Sequence, residues 1–169
     1  MFEDSPSKGS FSLLILKNMP IYYLTKKKLE EIEQEYENLK KLKQEKFKEG
    51  APAFCEGEDI NPEFTSYEEG MEGLNARLEE LESILKNYIL IASPLDKSKV
   101  SLGASVILKE NFSQEKQFKI VGTLEANPFE GKISNESPAG RAFLGKEVGD
   151  TVSVGSNLYQ IIKINYEEI

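Results

Sequence analysis

The stretch "CEGEDINPEF", residues 55–64, gathers Glu56, Glu58 and Asp59 beside two turn formers, Gly57 and Pro62. The chemistry open to such a cluster is that of carboxylates. Two readings of the residues stand side by side: acids that solvate a turn, or acids at the working end of the molecule. Other chemistries are excluded by composition. The chain has no histidine, which removes His-based triads, His general bases and His zinc ligands. Its single cysteine, Cys55, can form neither an internal disulfide nor a cysteine-rich metal site, and a reducing cytoplasm fits that usage. Without a histidine beside it, Cys55 is a weak nucleophile, and with Phe54 it is assigned to packing at the bend.

The acids lie between two segments of helical pattern. In "YLTKKKL" (23–29), Thr25 is an N-cap, and Leu24 with Leu29 makes a hydrophobic staple. Three lysines in the first turn oppose the helix dipole. Leu29, Ile32, Tyr36 and Leu39 follow at spacings of 3, 4 and 3, and Pro52 ends or frays the helix. In the second segment Met71, Leu74, Leu78, Leu81, Leu85 and Tyr88 recur at 3, 4, 3, 4 and 3. That is an a/d seam on an otherwise charged surface. One apolar stripe on each of two joined helices predicts an antiparallel hairpin over about 25–50 and 64–90, with an acidic tip near 55–63. Helices of ~25–30 residues would reach ~40–45 Å and hold the tip far from the base.

The remaining texture is different. Residues 1–19 read as an extension expected to be disordered, 20–92 as the hairpin, and 93–99, broken by Pro94, as a linker. Residues 100–169 contain "ASVILKE", "KQFKIVGTL", "TVSVG" and "LYQIIKINY", strand-like runs separated by turn signals. A short helix is expected around Ala142–Leu144, opened near Pro138 and closed at Gly145. The fold class is therefore α+β: an N-terminal helical hairpin, then a small antiparallel sheet with one short helix on it. No run approaches the ~20 apolar residues of a membrane span. A net charge of −8 argues against generic polyanion binding.

The order of these parts, with "GKISNESPAGRAFLGKEVGD" at 131–150, resembles the bacterial GreA/GreB transcript cleavage factors. Ile133, Ser134, Ser137, Pro138, Gly140, Arg141, Ala142, Leu144, Gly145, Lys146, Val148, Gly149 and Asp150 fit that family's C-terminal stretch. "YLT" (23–25) fits the start of its first helix and "GLNARLEELE" (73–82) fits its second helix, and the likeness covers about residues 20–167. The resemblance implies an FKBP-like C-terminal domain that grips RNA polymerase, with Ser137, Pro138, Gly140 and Arg141 as candidate contacts. It implies a coiled coil that enters the polymerase's secondary channel, near the nascent RNA 3′ end and the DNA template. It also implies tip acids that help hold a catalytic Mg²⁺ shared with the polymerase, which then cleaves its own backtracked RNA. On this reading the chain has no cofactor of its own, is not itself an enzyme, acts as a monomer and is cytoplasmic and bacterial.

The tip departs from the family pattern, which reads like "GDLSENAEY". Counting from Tyr23 places Asp59 on the essential Asp. Counting back from "GLNARLEELE" places Asn61, Pro62, Glu63 and Phe64 on "NAEY". Both counts hold only if two residues, the pattern's Ser and Glu, are missing. Asp59 is the leading ligand candidate and Glu58 the second, with Glu56 and Glu63 as substitutes. Lysines on the first helix (Lys26, Lys27, Lys28, Lys40, Lys41, Lys43, Lys46, Lys48) are either a solvated face or a patch that approaches RNA phosphates. Two rival functions remain open here: a channel-binding regulator or inhibitor that does not support cleavage, and an adaptor unrelated to polymerase.

Overall fold

The computed structural model describes residues 20–56, 59–111 and 114–166. The expected extension 1–19 and Glu58 lie outside the described residues.

Helix α1 spans Lys26–Glu49 and starts as its sequence dictates: the Thr25 hydroxyl accepts from the Lys28 N–H at 3.3 Å. Leu24 and Leu29 are both buried in one cluster, as a staple requires. Helix α2, Pro62–Lys86, has Pro62 in its first turn, where the missing N–H costs nothing. The two helices form the expected hairpin. Leu24, Leu29 and Ile32 pack on Leu81 and Ile84, with Tyr36, Leu39 and Leu85 partly buried beside them, and Leu74 is buried farther out. Arg77 bridges the helices, its Nε and Nη2 donating to the two Glu35 oxygens at 2.7 and 2.9 Å. At 24 and 25 residues the helices are ~36 Å long.

The seam needs one correction at its base. Tyr88 is not on α2 but opens a strand, and it is exposed, while Ile84 takes a deep position that the strict heptad assigned to Leu85. A seven-residue repeat drifts on a straight helix, and α2 stops at Asn87, whose N–H donates to the Ile84 carbonyl and whose Nδ2 donates to that of Ser83. The chain then pairs. Strands β1 (Tyr22–Leu24) and β4 (Tyr88–Leu90) lie side by side in parallel, tied at each end by Tyr22 N–H to the Asn87 carbonyl (2.9 Å) and Ile91 N–H to that of Leu24 (2.7 Å). Between the helices, β2 (Cys55–Glu56) and β3 (Asp59–Ile60) form a short antiparallel ribbon.

The C-terminal half is a five-stranded sheet of β5 (Ala104–Glu110), β6 (Gln114–Val121), β7 (Lys132–Ser134), β8 (Thr151–Val154) and β9 (Asn157–Tyr166), in the order β7-β6-β5-β9-β8. It was expected to be antiparallel, and it is mixed: β7 runs parallel to β6, with Lys119, Ile120 and Val121 beside Lys132, Ile133 and Ser134. Two 3-10 turns, Thr123–Glu125 and Pro128–Glu130, carry the chain back far enough for β7 to run in the same direction. Helix α3, Pro138–Phe143, closes the core with Phe143 against Val106, Leu108, Ile120, Val152 and Ile161. The Tyr166 hydroxyl ties the start of this domain to its end, accepting from Ser101 N–H at 2.9 Å and donating to the Lys99 carbonyl at 2.5 Å.

The first 3-10 turn also joins the two halves. A Cβ on Gly122 would lie 1.8 Å from the Tyr23 carbonyl oxygen, so only glycine allows this approach. Leu124 packs into the cluster at the hairpin base. The Glu125 carboxylate accepts from the Thr25 N–H at 2.7 Å and from its hydroxyl at 2.9 Å. The first turn of α1 has three lysines and no acid, and a carboxylate from the other domain supplies the negative charge that the helix N-terminus favours.

Candidate functional site

The far end of the hairpin is a built structure rather than a loose turn. Asn61 is 3% exposed, and each polar group of its side chain has a partner. Its Oδ1 accepts from the Glu63 N–H at 2.9 Å, capping α2, and its Nδ2 donates to the Ala53 carbonyl at 2.9 Å. Its own N–H donates to the Phe54 carbonyl at 3.0 Å, one rung beyond the Cys55–Ile60 pair. The Phe54 and Phe64 rings meet edge to face, centroids 5.1 Å apart, whereas Cys55, expected to pack at the bend, is exposed.

On this base stands the acidic ribbon. Asp59 is exposed, and its backbone pairs in register with that of Glu56. The register sets these two positions opposite each other on the ribbon. Glu63 sits apart from them in the first turn of α2, where a carboxylate favours the helix dipole. Carboxylate oxygens suit a hard cation such as Mg²⁺. Among the described residues no group of three or more His, Cys, Asp or Glu side chains could hold a metal ion by itself.

In the C-terminal motif most of the candidate contacts have structural work. Ser137 caps α3: its hydroxyl accepts from the Gly140 N–H at 3.0 Å and donates to the Ser134 carbonyl at 2.7 Å. Pro138 opens the helix. Gly140 is buried where a Cβ would fall 2.0 Å from the Ser134 carbonyl oxygen. Arg141, in contrast, is exposed. The lysines of α1 divide in the same way. Lys28 pairs with Glu31 at 3.2 Å, and Lys40 lies 3.7 Å from Glu37 and over the Tyr36 ring. Lys46 and Lys48 occupy the last turn, which favours cations.

Residues 94–166 match the family model described as "Transcription elongation factor, GreA/GreB, C-term". The transcription elongation factor GreA of Clostridium acetobutylicum is 36% identical over 151 residues, which cover 85% of this chain and 96% of that protein. The chain belongs to the GreA/GreB family. GreA of Lachnoclostridium phytofermentans is 34% identical over 149 residues, covering 83% of this chain and 93% of the relative. A solved structure, GreA factor homolog 1 (Gfh1) of Thermus thermophilus, matches 86% of this chain and 99% of its own at 24% identity and a TM-score of 0.38. Family membership therefore rests on the sequence relatives.

Within this GreA/GreB family member, three site features escaped sequence reasoning. Asn61 was aligned with the family pattern but not seen as a clamp; the signal was the Asn-Pro pair, an N-cap followed by a first-turn proline. The Glu125 cap on α1 left no local signal, since its partner is 100 residues away. Gly122 stood in a run read only as strand and turn.

Proposed function

We propose that this chain is a transcription elongation factor that binds RNA polymerase and stimulates cleavage of backtracked RNA. The observation that carries the reading is the exposed Asp59, carried on a strand at the far end of a two-helix rod ~36 Å long whose base is latched to a separate β domain. A rod of this shape suits delivery of an acid through a channel to a buried reaction centre. The β domain, with Arg141 exposed on α3, is the polymerase-docking part. Asp59, with Glu58 or Glu56 beside it, would hold a Mg²⁺ shared with the polymerase. That ion, when bound, stabilises charge on the attacking and leaving oxygens of phosphodiester hydrolysis. The chain's own residues place the carboxylate; the polymerase performs the reaction on the nascent RNA.

The test is RNA cleavage in stalled, backtracked complexes of the cognate polymerase. Asp59→Asn keeps size and shape but removes the charge. Cleavage is expected to fall about thirty-fold or more, ~2–4 kcal/mol of barrier, with polymerase affinity unchanged and partial rescue by raised Mg²⁺. Equal cleavage by the wild type and Asp59→Asn at limiting Mg²⁺ would remove Asp59 from this role. A second reading is favoured by one observation, the two residues missing from the tip pattern. It is a channel-binding regulator that does not support cleavage, and intact polymerase binding with no stimulation by the wild type would select it.

A further inference from the structure

We propose that Asn61 is a positioning residue that aims Asp59. This inference rests on the cleavage reading above. Asn61 follows Asp59 by two residues, at the point where the ribbon becomes α2. Five hydrogen bonds converge on it. Its side chain joins Ala53 to Glu63, its N–H reaches Phe54, and its carbonyl accepts from Phe64 (3.1 Å) and Thr65 (3.3 Å). A buried amide is held rigidly because each unpaired group would carry a desolvation cost. The incoming segment at 53–54 and the outgoing helix are thus fixed to each other through one side chain, and the ribbon between them inherits that orientation. The Phe54–Phe64 contact closes the same junction from the ring side. Capping alone would need only the oxygen of Asn61. The second contact, Nδ2 to the Ala53 carbonyl, does nothing for α2 and serves only to hold the ribbon's base.

Two variants separate these roles. Asn61→Ser and Asn61→Asp both remain good N-caps, and both lose the amide donor to Ala53. The reactions are run as before, with polymerase affinity and rod melting measured alongside. A nitroxide on Cys55, the single cysteine and an exposed one, reports the order of the ribbon without reference to cleavage. Both variants are expected to melt lower, Asn61→Asp more so because its carboxylate is buried against the Ala53 carbonyl, yet to stay folded at the assay temperature, bind polymerase within about 2-fold, loosen the Cys55 label and lose roughly 10- to 100-fold in cleavage, the scale of an ångström-sized misplacement. A label that stays as immobile as in the wild type overturns the proposal, whether or not the wild type stimulates cleavage. A loosened label with undiminished cleavage overturns it also, because aim would then not matter. A loosened label with no stimulation by the wild type overturns the cleavage reading while upholding Asn61 as the residue that orders the ribbon.

Discussion

The junction at Gly122 makes a severe claim for a single methyl group. In Gly122→Ala the new Cβ would stand 1.8 Å from the Tyr23 carbonyl oxygen and 2.8 Å from its carbon. Ordinary contact distance requires a shift of roughly 1.5 Å, and both partners are backbone, so no side chain can rotate away. Tyr23 is held in β1 by pairing with β4, and Leu124 is held in the cluster at the hairpin base. The separation must therefore disturb the Glu125 bonds to Thr25. Overpacking of this kind costs about 1–3 kcal/mol, and losing the carboxylate from the helix N-terminus adds about 1. With ~2–4 °C of Tm per kcal/mol for a chain of this size, Tm should fall by about 4–16 °C in a calorimetric melt. Gly73→Ala is the control: its Cβ would meet nothing within 4 Å, on a helix, and it should stabilise by about 0.5–1 kcal/mol. A Gly122→Ala protein that melts within 2 °C of the wild type, or no lower than the Gly73→Ala protein, would refute the reasoning.

Other outcomes follow from the same geometry. Gly140→Ala, with 2.0 Å to the Ser134 carbonyl, should destabilise the β domain by about 1–3 kcal/mol, read by chemical denaturation. Tyr166→Phe strands the Ser101 N–H and should cost about 1–2 kcal/mol in the same assay. Glu35 has its carboxyl held below the usual range, chiefly by the Arg77 hydrogen bonds. Its contribution is therefore present above the ordinary carboxylate pKa and lost as pH falls through the lowered folded value. In Glu35→Gln the fall of stability below about pH 5 should be shallower, by less than ~1 kcal/mol because both side chains are about two-fifths exposed. An acid titration of Tm that is identical for the variant and the wild type would contradict this.

What was legible in the chain was what repeats or caps locally. Leu74 and Leu81 announced the hairpin through their spacing, Thr25 its start, and Pro138 with Gly145 the short helix. What was not legible depends on partners distant in sequence. The parallel β1–β4 pair has three residues per strand, too few for a period, and it takes Tyr88 out of the seam. The direction of β7 is set by two turns of three residues, whose course no hydropathy pattern encodes. At the tip, counting residues placed Asp59 on the family's acid but could not show that a buried asparagine braces it, because hydrogen-bond closure is a property of the folded loop.

Entry to and exit from the hairpin are one hydrogen bond apart, Tyr22 to Asn87. Its reach is therefore a variable separable from its attachment. Removing seven residues from each helix would retract the tip by ~10 Å, turn the seam by only ~20° and leave the base untouched, whereas trimming one helix alone would twist the tip away from its axis. Evolution or a protein engineer can thus treat the rod as a cassette whose length is graded in heptad steps.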